Sequence, residues 1–83
     1  MKFKAKINVM PLETLLDPQG KAVTANMENV GLEEISNVRI GKHITLVIDS
    51  KNKEIALKKI DDACKRILSN QIMESYSFSV EEI

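Results

Sequence analysis

Residues 2 to 9, KFKAKINV, alternate without a break: Phe3, Ala5, Ile7 and Val9 share one parity, and Lys2, Lys4, Lys6 and Asn8 share the other. Successive strand side chains point to opposite faces, so this stretch is a half-buried strand with one apolar face that needs a cover. Lysine on the solvent face of a strand is also the usual device against stray edge pairing, and that is the role expected of these three.

After the loop MPLETLL the spacing becomes helical. Val23, Met27 and Val30 form one stripe, with Ala22 and Ala25 beside it. In the stretch LLDPQGKAV that opens this helix, Asp17 is placed to accept hydrogen bonds from free first-turn amides as N-cap, and Pro18 suits the first helical position. Gly31 suits the left-handed position that follows a helix end. Gly20 is not explained by capping, because glycine in a first turn costs about 1 kcal/mol relative to alanine. Either the helix begins after Gly20, or a backbone or a partner approaches closely there.

In the next segment Val38, Ile40, Ile44, Leu46 and Ile48 share one parity, with Arg39, His43 and Thr45 on the other and Lys42 at a break. Gly41 and Lys42 can be a hairpin turn between two short strands or a bend in one long strand across residues 38–49. A long bent strand would project beyond one layer and require another chain to pair with. From Ser50 to Asn70 helical spacing returns, with Leu57, Ile60, Cys64, Ile67 and Leu68 as the expected core stripe, flanked by Ala56 and Ala63, and Ser50 or Asn52 as cap. Glu54 with Lys58, Asp61 with Lys65 and Asp62 with Arg66 are acid-before-base pairs four apart, each worth about 0.2–0.5 kcal/mol. Tyr76, Phe78 and Val80 then alternate with Ser75, Ser77 and Ser79 in a final strand. The order predicts one α+β domain over residues 1–83, a β-α-β(β)-α-β ferredoxin-like sandwich whose antiparallel sheet is covered by two helices on one face.

A domain of 83 residues has a thin core, since a chain this short buries only about 60–65% of its unfolded surface. Disulfides, a metal or a second subunit commonly make up the deficit. One Cys and one His supply neither a disulfide nor a zinc site, which leaves self-association. Twelve basic residues balance twelve acidic ones, which argues against nucleic acid and against an anionic membrane as partners. No segment has the length of a signal h-region or a membrane span, so a cytoplasmic location with a reduced thiol is expected.

The chemistry-bearing residues do not form a reactive set. Cys64 falls on an apolar helical stripe, His43 lies among cations with no carboxylate placed to orient it, and Asp61, Asp62, Glu33 and Glu34 are adjacent pairs that point apart. Phosphate-binding loops and dinucleotide fingerprints are missing from the sequence, and Phe3, Tyr76 and Phe78 have core parity rather than the paired display used to stack RNA bases. No catalytic residue, cofactor-binding residue or metal ligand is expected in this chain alone.

Three motifs together resemble the PurS family, the small subunit of phosphoribosylformylglycinamidine synthase. Leu16 to Val23, LDPQGKAV, contains the family's LDPQG; Val38 to Lys42, VRIGK, is similar to its strand; and Ser69 to Tyr76, SNQIMESY, is similar to its NPVIEDY entry to the last strand. Gln71 stands where the family usually has proline and Ser75 where it often has aspartate. The resemblance implies a non-catalytic subunit of a glutamine-dependent carbon–nitrogen ligase in purine synthesis. It also implies a homodimer, or a tetramer, that bridges a glutaminase and a large synthetase and assists ammonia transfer, with ATP, Mg and glutamine used by those partners. Asp17, Gln19, Gly20, Lys21, Arg39, Lys42 and His43 are then the expected partner interface, with internal capping as the competing role for Asp17. Two readings from other classes share the fold. One is a stand-alone small-molecule-binding regulatory module, which would want a glycine-bearing loop directly after the first strand. The other is an acylphosphatase-type hydrolase, whose anion cradle Glu13 and Asp17 would oppose.

Overall fold

A computed structural model describes residues 1–83. Strand β1 (Lys2–Pro11) leads to helix α1 (Pro18–Asn29), strand β2 (Lys42–Asp49), helix α2 (Lys53–Ala63) with a single π turn at Cys64–Leu68, and strand β3 (Glu74–Glu82). The sheet is antiparallel with order β2-β1-β3, so the faultlessly alternating strand is the central one. Its apolar parity meets apolar parity on both sides: Phe3, Ala5 and Ile7 lie opposite Ile48, Leu46 and Ile44 on β2. On β3, Ala5, Ile7 and Val9 lie opposite Val80, Phe78 and Tyr76. The α+β ferredoxin-like arrangement is thus built on three strands.

Because β1 is central, its lysines have no edge to protect, contrary to the role expected for them. They stand on the sheet face opposite the core, where Lys6 reaches Glu81 of β3 at 3.4 Å. On the core face Phe3, Ala5, Ile7 and Val9 are essentially without solvent contact, and α2 lies over them through Ala56, Ile60 and Cys64, spaced four apart. Two of those three are small, which lets the helix approach the sheet closely. Asn52 is its cap, accepting from the Ile55 amide at 2.9 Å. Two of the expected ion pairs close, Asp61–Lys65 at 3.1 Å and Asp62–Arg66 at 3.0 Å. Tyr76 on β3 donates to Asp61 on α2 at 2.5 Å and ties the helix to the sheet.

Ile67 departs from the expected stripe, for it is 80% exposed. The π turn is the reason. Within it the Ser69 amide bonds back five residues to the Cys64 carbonyl, so each residue advances by less than the α-helical 100°. Leu68 stays over the core while Ile67, one position earlier, is swung outward.

α1 begins and ends as its sequence requires. Asp17 is the N-cap and Pro18 the first helical residue. At the other end Leu32 donates to the Met27 carbonyl at 2.8 Å and Gly31 to Glu28 at 3.2 Å, with Gly31 at φ +79°: the paired bonds of a Schellman stop. Yet this helix contributes no side chain to the core cluster; its only buried residue is Gly20, and Val30 at the end of its apolar stripe is 68% exposed. Cover for the sheet therefore comes mainly from α2. The segment 38–49 is neither a hairpin nor one long strand: β2 starts only at Lys42, and residues 38–41 run outside the sheet past the root of α1. Gly41 is needed there because a Cβ would overlap the Val9 carbonyl and Met10.

Candidate partner-docking site at the root of the first helix

The loop after β1 is held at both ends. Leu12 donates to the Met73 carbonyl at 2.9 Å, and Leu15 closes a turn onto Leu12 at 3.0 Å. The chain then delivers Asp17, only 8% exposed, to the point where three segments meet. Its Oδ1 accepts from the Gly20 amide at 3.1 Å, the capping bond. Its Oδ2 accepts from the Ile40 amide at 2.9 Å, twenty-three residues away. Arg39 Nε stands 3.6 Å from the same oxygen. The Ile40 amide first, then that of Gly20, hold the Asp17 carboxyl below the ordinary carboxylate range against the opposing effect of burial, with a further contribution from Arg39.

Arg39 does more than neutralise that charge. Its Nη2 donates to the carbonyls of Pro11 at 2.8 Å and Leu12 at 3.0 Å, tying the end of β1 to the segment before β2. Thr24, in the second turn of α1, donates to Gly20 O at 2.7 Å and accepts from the Val38 amide at 3.0 Å. Gly20 is buried between these contacts. A Cβ there would overlap the Val38 carbonyl oxygen and the Asp17 carboxylate, so the glycine that capping could not explain is required by a close backbone approach within the chain. Asn37, at φ +56°, turns the chain into this approach, in a backbone region that Asn tolerates better than most residues.

The third motif arrives at the same place. Lys42 reaches Glu74 at 3.8 Å, and Glu74 accepts from the Asn70 amide at 2.8 Å, fixing the entry to β3. Two clefts flank the junction. One, of about 460 Å³, is lined by Lys21, Thr24, Asn37 and Arg39 with Glu13, and the other by Gln19, Ile40 and Lys42 with Leu16 and Glu74; Asp17 lines both. Of the seven residues expected at an interface, six therefore gather here. Asp17, Gly20 and Arg39 are engaged internally, whereas Gln19, Lys21 and Lys42 face solvent. His43 lines neither cleft; it lies on the outer sheet face with Nδ1 2.7 Å from Asn8 Oδ1, which, as an acceptor, draws the ring proton to Nδ1.

Sequence reasoning missed the apolar rim. Leu16 is 67% exposed, Ile72 85% and Met73 52%, and Leu16 and Met73 line cavities beside the junction. Leu16 and Met73 line one cavity together, and adjoining exposed apolar side chains are the kind of surface a protein partner covers. The only signal for them was their position inside two of the motifs. As for covalent chemistry, Cys64 is enclosed, and burial first, then the Asp61 charge, push its thiol up and away from reactivity.

Comparison with known proteins returns one family throughout. The family model PurS, phosphoribosylformylglycinamidine (FGAM) synthase, matches residues 4–82. The chain is 33% identical to phosphoribosylformylglycinamidine synthase subunit PurS of Bacillus subtilis over 81 residues, covering 98% of this chain and 95% of the relative. With the subunit of the same name from Synechocystis it shares 32% identity, covering 94% and 78%. Among solved structures, a chain of PurLQS from Thermotoga maritima is similar at TM-score 0.89 with 27% identity, covering 98% of this chain and 99% of that one. The Bacillus subtilis PurS crystal structure is similar at TM-score 0.85 with 34% identity, covering 96% and 99%.

Proposed function

The chain belongs to the PurS family, and on that premise we propose that it is the small, non-catalytic subunit of a phosphoribosylformylglycinamidine synthase in purine biosynthesis. It associates with itself and joins a large ATP-dependent synthetase and a glutaminase, lying between them and assisting the passage of ammonia from one to the other. ATP, magnesium and glutamine are consumed by the partners. The observation that carries this reading is that 98% of this chain is superposable on 99% of a chain of the PurLQS structure. The junction at Asp17 adds support from the residues themselves, because the three family motifs, far apart in sequence, meet there with Gln19, Lys21, Lys42, Leu16 and Met73 exposed around them.

A stand-alone effector module has less in its favour. Residues 12–17, which follow β1, contain no glycine, and the space around Gly20 is filled by the Val38 carbonyl.

Reconstitution tests the proposal. The purified chain is mixed with synthetase and glutaminase subunits, and ATP- and glutamine-dependent formation of formylglycinamidine ribonucleotide is followed alongside size-exclusion elution. Co-elution of all three, with activity that depends on adding this chain, is expected. A chain that elutes apart and leaves the rate unchanged would sink the reading.

A further inference from the structure

α1 is tied to the rest of the molecule through its N-terminal half, from Asp17 to Thr24. None of its side chains enters the core cluster, and its side-chain hydrogen bonds and ion pairs to distant residues are those of the junction: Asp17 to Ile40 and Arg39, and Thr24 to Val38. A helix attached by a single flexible linker would swing. Here alternate backbone amides of the crossing segment are used: Val38 bonds to Thr24 and Ile40 to Asp17, so the segment is clamped against α1 at two points, its N-cap and its second turn. Arg39, between them, keeps its Nε 3.6 Å from Asp17 Oδ2 and clamps the end of β1 through two carbonyls. The central strand and the helix root are thereby fastened to one short piece of backbone.

We infer that Asp17, Thr24 and Arg39, closed around Gly20, form a rigid joint that sets the direction of α1 against the sheet, so that the chain presents this helix as a pre-aimed arm. The consequence for assembly rests on the proposed function: an arm already held in its bound direction loses less conformational freedom when a partner covers it. Glycine at position 20 is the component most specific to the joint. Its cost to the helix is accepted in order to admit the Val38 carbonyl, so helix propensity and joint closure make opposite demands on that residue.

That opposition supplies the test. Spin labels on Asn29→Cys, at the far end of α1, and Lys53→Cys, at the start of α2, report the angle by electron–electron distance measurement on the full chain, diluted with unlabelled protein to suppress distances between copies. Cys64, without solvent contact, is left in place. A narrow distribution is expected for the parent. Gly20→Ala makes a better helix former but pushes the Val38 carbonyl off, and the distribution should broaden about twofold or shift while the far-UV helical signal is kept. Thr24→Val, which removes the acceptor for Val38, should broaden it as well and serves if the alanine variant fails to fold. Distributions in both variants as narrow as the parent's, at the same mean, would overturn the joint. Failure of the parent to restore activity to the partner subunits would instead strike the proposed function and leave the distance result standing.

Discussion

Tyr76 is held neutral by the same contact that holds Asp61 charged. The phenol donates to Asp61 at 2.5 Å, so losing its proton would set two anions against each other; that bond first, then burial and the Asp61 charge, push the Tyr76 pKa up to about 12. Asp61 moves the opposite way, held down first by the Tyr76 hydroxyl and then by Lys65. The stability supplied by a raised tyrosine pKa is fully present below the unfolded value of about 10 and is lost as the pH climbs through the folded value. The chain has one Tyr and no Trp, so tyrosinate absorbance near 295 nm, to which only Tyr and Trp contribute appreciably, reports this single group. We expect a midpoint well above that of free tyrosine, falling back toward about 10 in Asp61→Asn. An unchanged midpoint in that variant would mean that the Asp61 bond is not what raises it. Neither partner of this bond was legible in the sequence. Tyr76 read simply as core and Asp61 as half of a surface ion pair, because fifteen residues separate them and only the seating of α2 on β3 brings them together.

At the scale of elements, the sequence was legible wherever a structural rule is local. Asp-Pro at the start of α1, Gly31 at its end and the alternation of β1 and β3 each follow from spacing of a few residues, and each is present in the fold. The assignments that failed depended on neighbours. Central placement of β1 could not be read from its own alternation, which an edge strand would share, and the segment 38–41 satisfies strand parity while making its bonds to Thr24 and Asp17 instead. The π turn is the clearest case: nothing in CKRIL marks one, yet one residue of slack reverses the exposure of Ile67. Denaturant unfolding at fixed protein concentration should separate the two isoleucines. Ile60→Ala, in a position 1% exposed, should cost about 2–5 kcal/mol through lost burial and the cavity left behind. Ile67→Glu should lie within about 0.5 kcal/mol of the parent, the range of ordinary surface changes. A large loss from Ile67→Glu would place that side chain inward and remove the π turn from the account. The candidate site was half legible on the same grounds: its motifs stood in the sequence, but their meeting point, and the internal engagement of Asp17 and Gly20, are products of the crossing of 38–41 past α1.

The whole molecule is too extended for its length. Its radius of gyration is 16.4 Å, with Cα extents of 51 × 27 × 14 Å, whereas a compact chain of this size has a radius of about 12 Å. Eight side chains make up the buried core, and Leu16, Val30 and Ile72 are each more than 60% exposed. A thin core combined with a helix held away from it leaves apolar surface that water should not be left to cover, and a second copy of the chain is the partner always at hand. If folding and association are linked in this way, the folded state gains stability from mass action, and the melting temperature must rise with protein concentration. Melting curves across a hundredfold range of concentration, run beside sedimentation velocity, test this directly. The expected outcome is a melting temperature that climbs steadily over the range in which the sedimenting species is larger than one chain. A constant melting temperature together with a monomeric sedimentation coefficient would show that the slender chain is sufficient alone, and the covering of α1 by another copy would have to be abandoned.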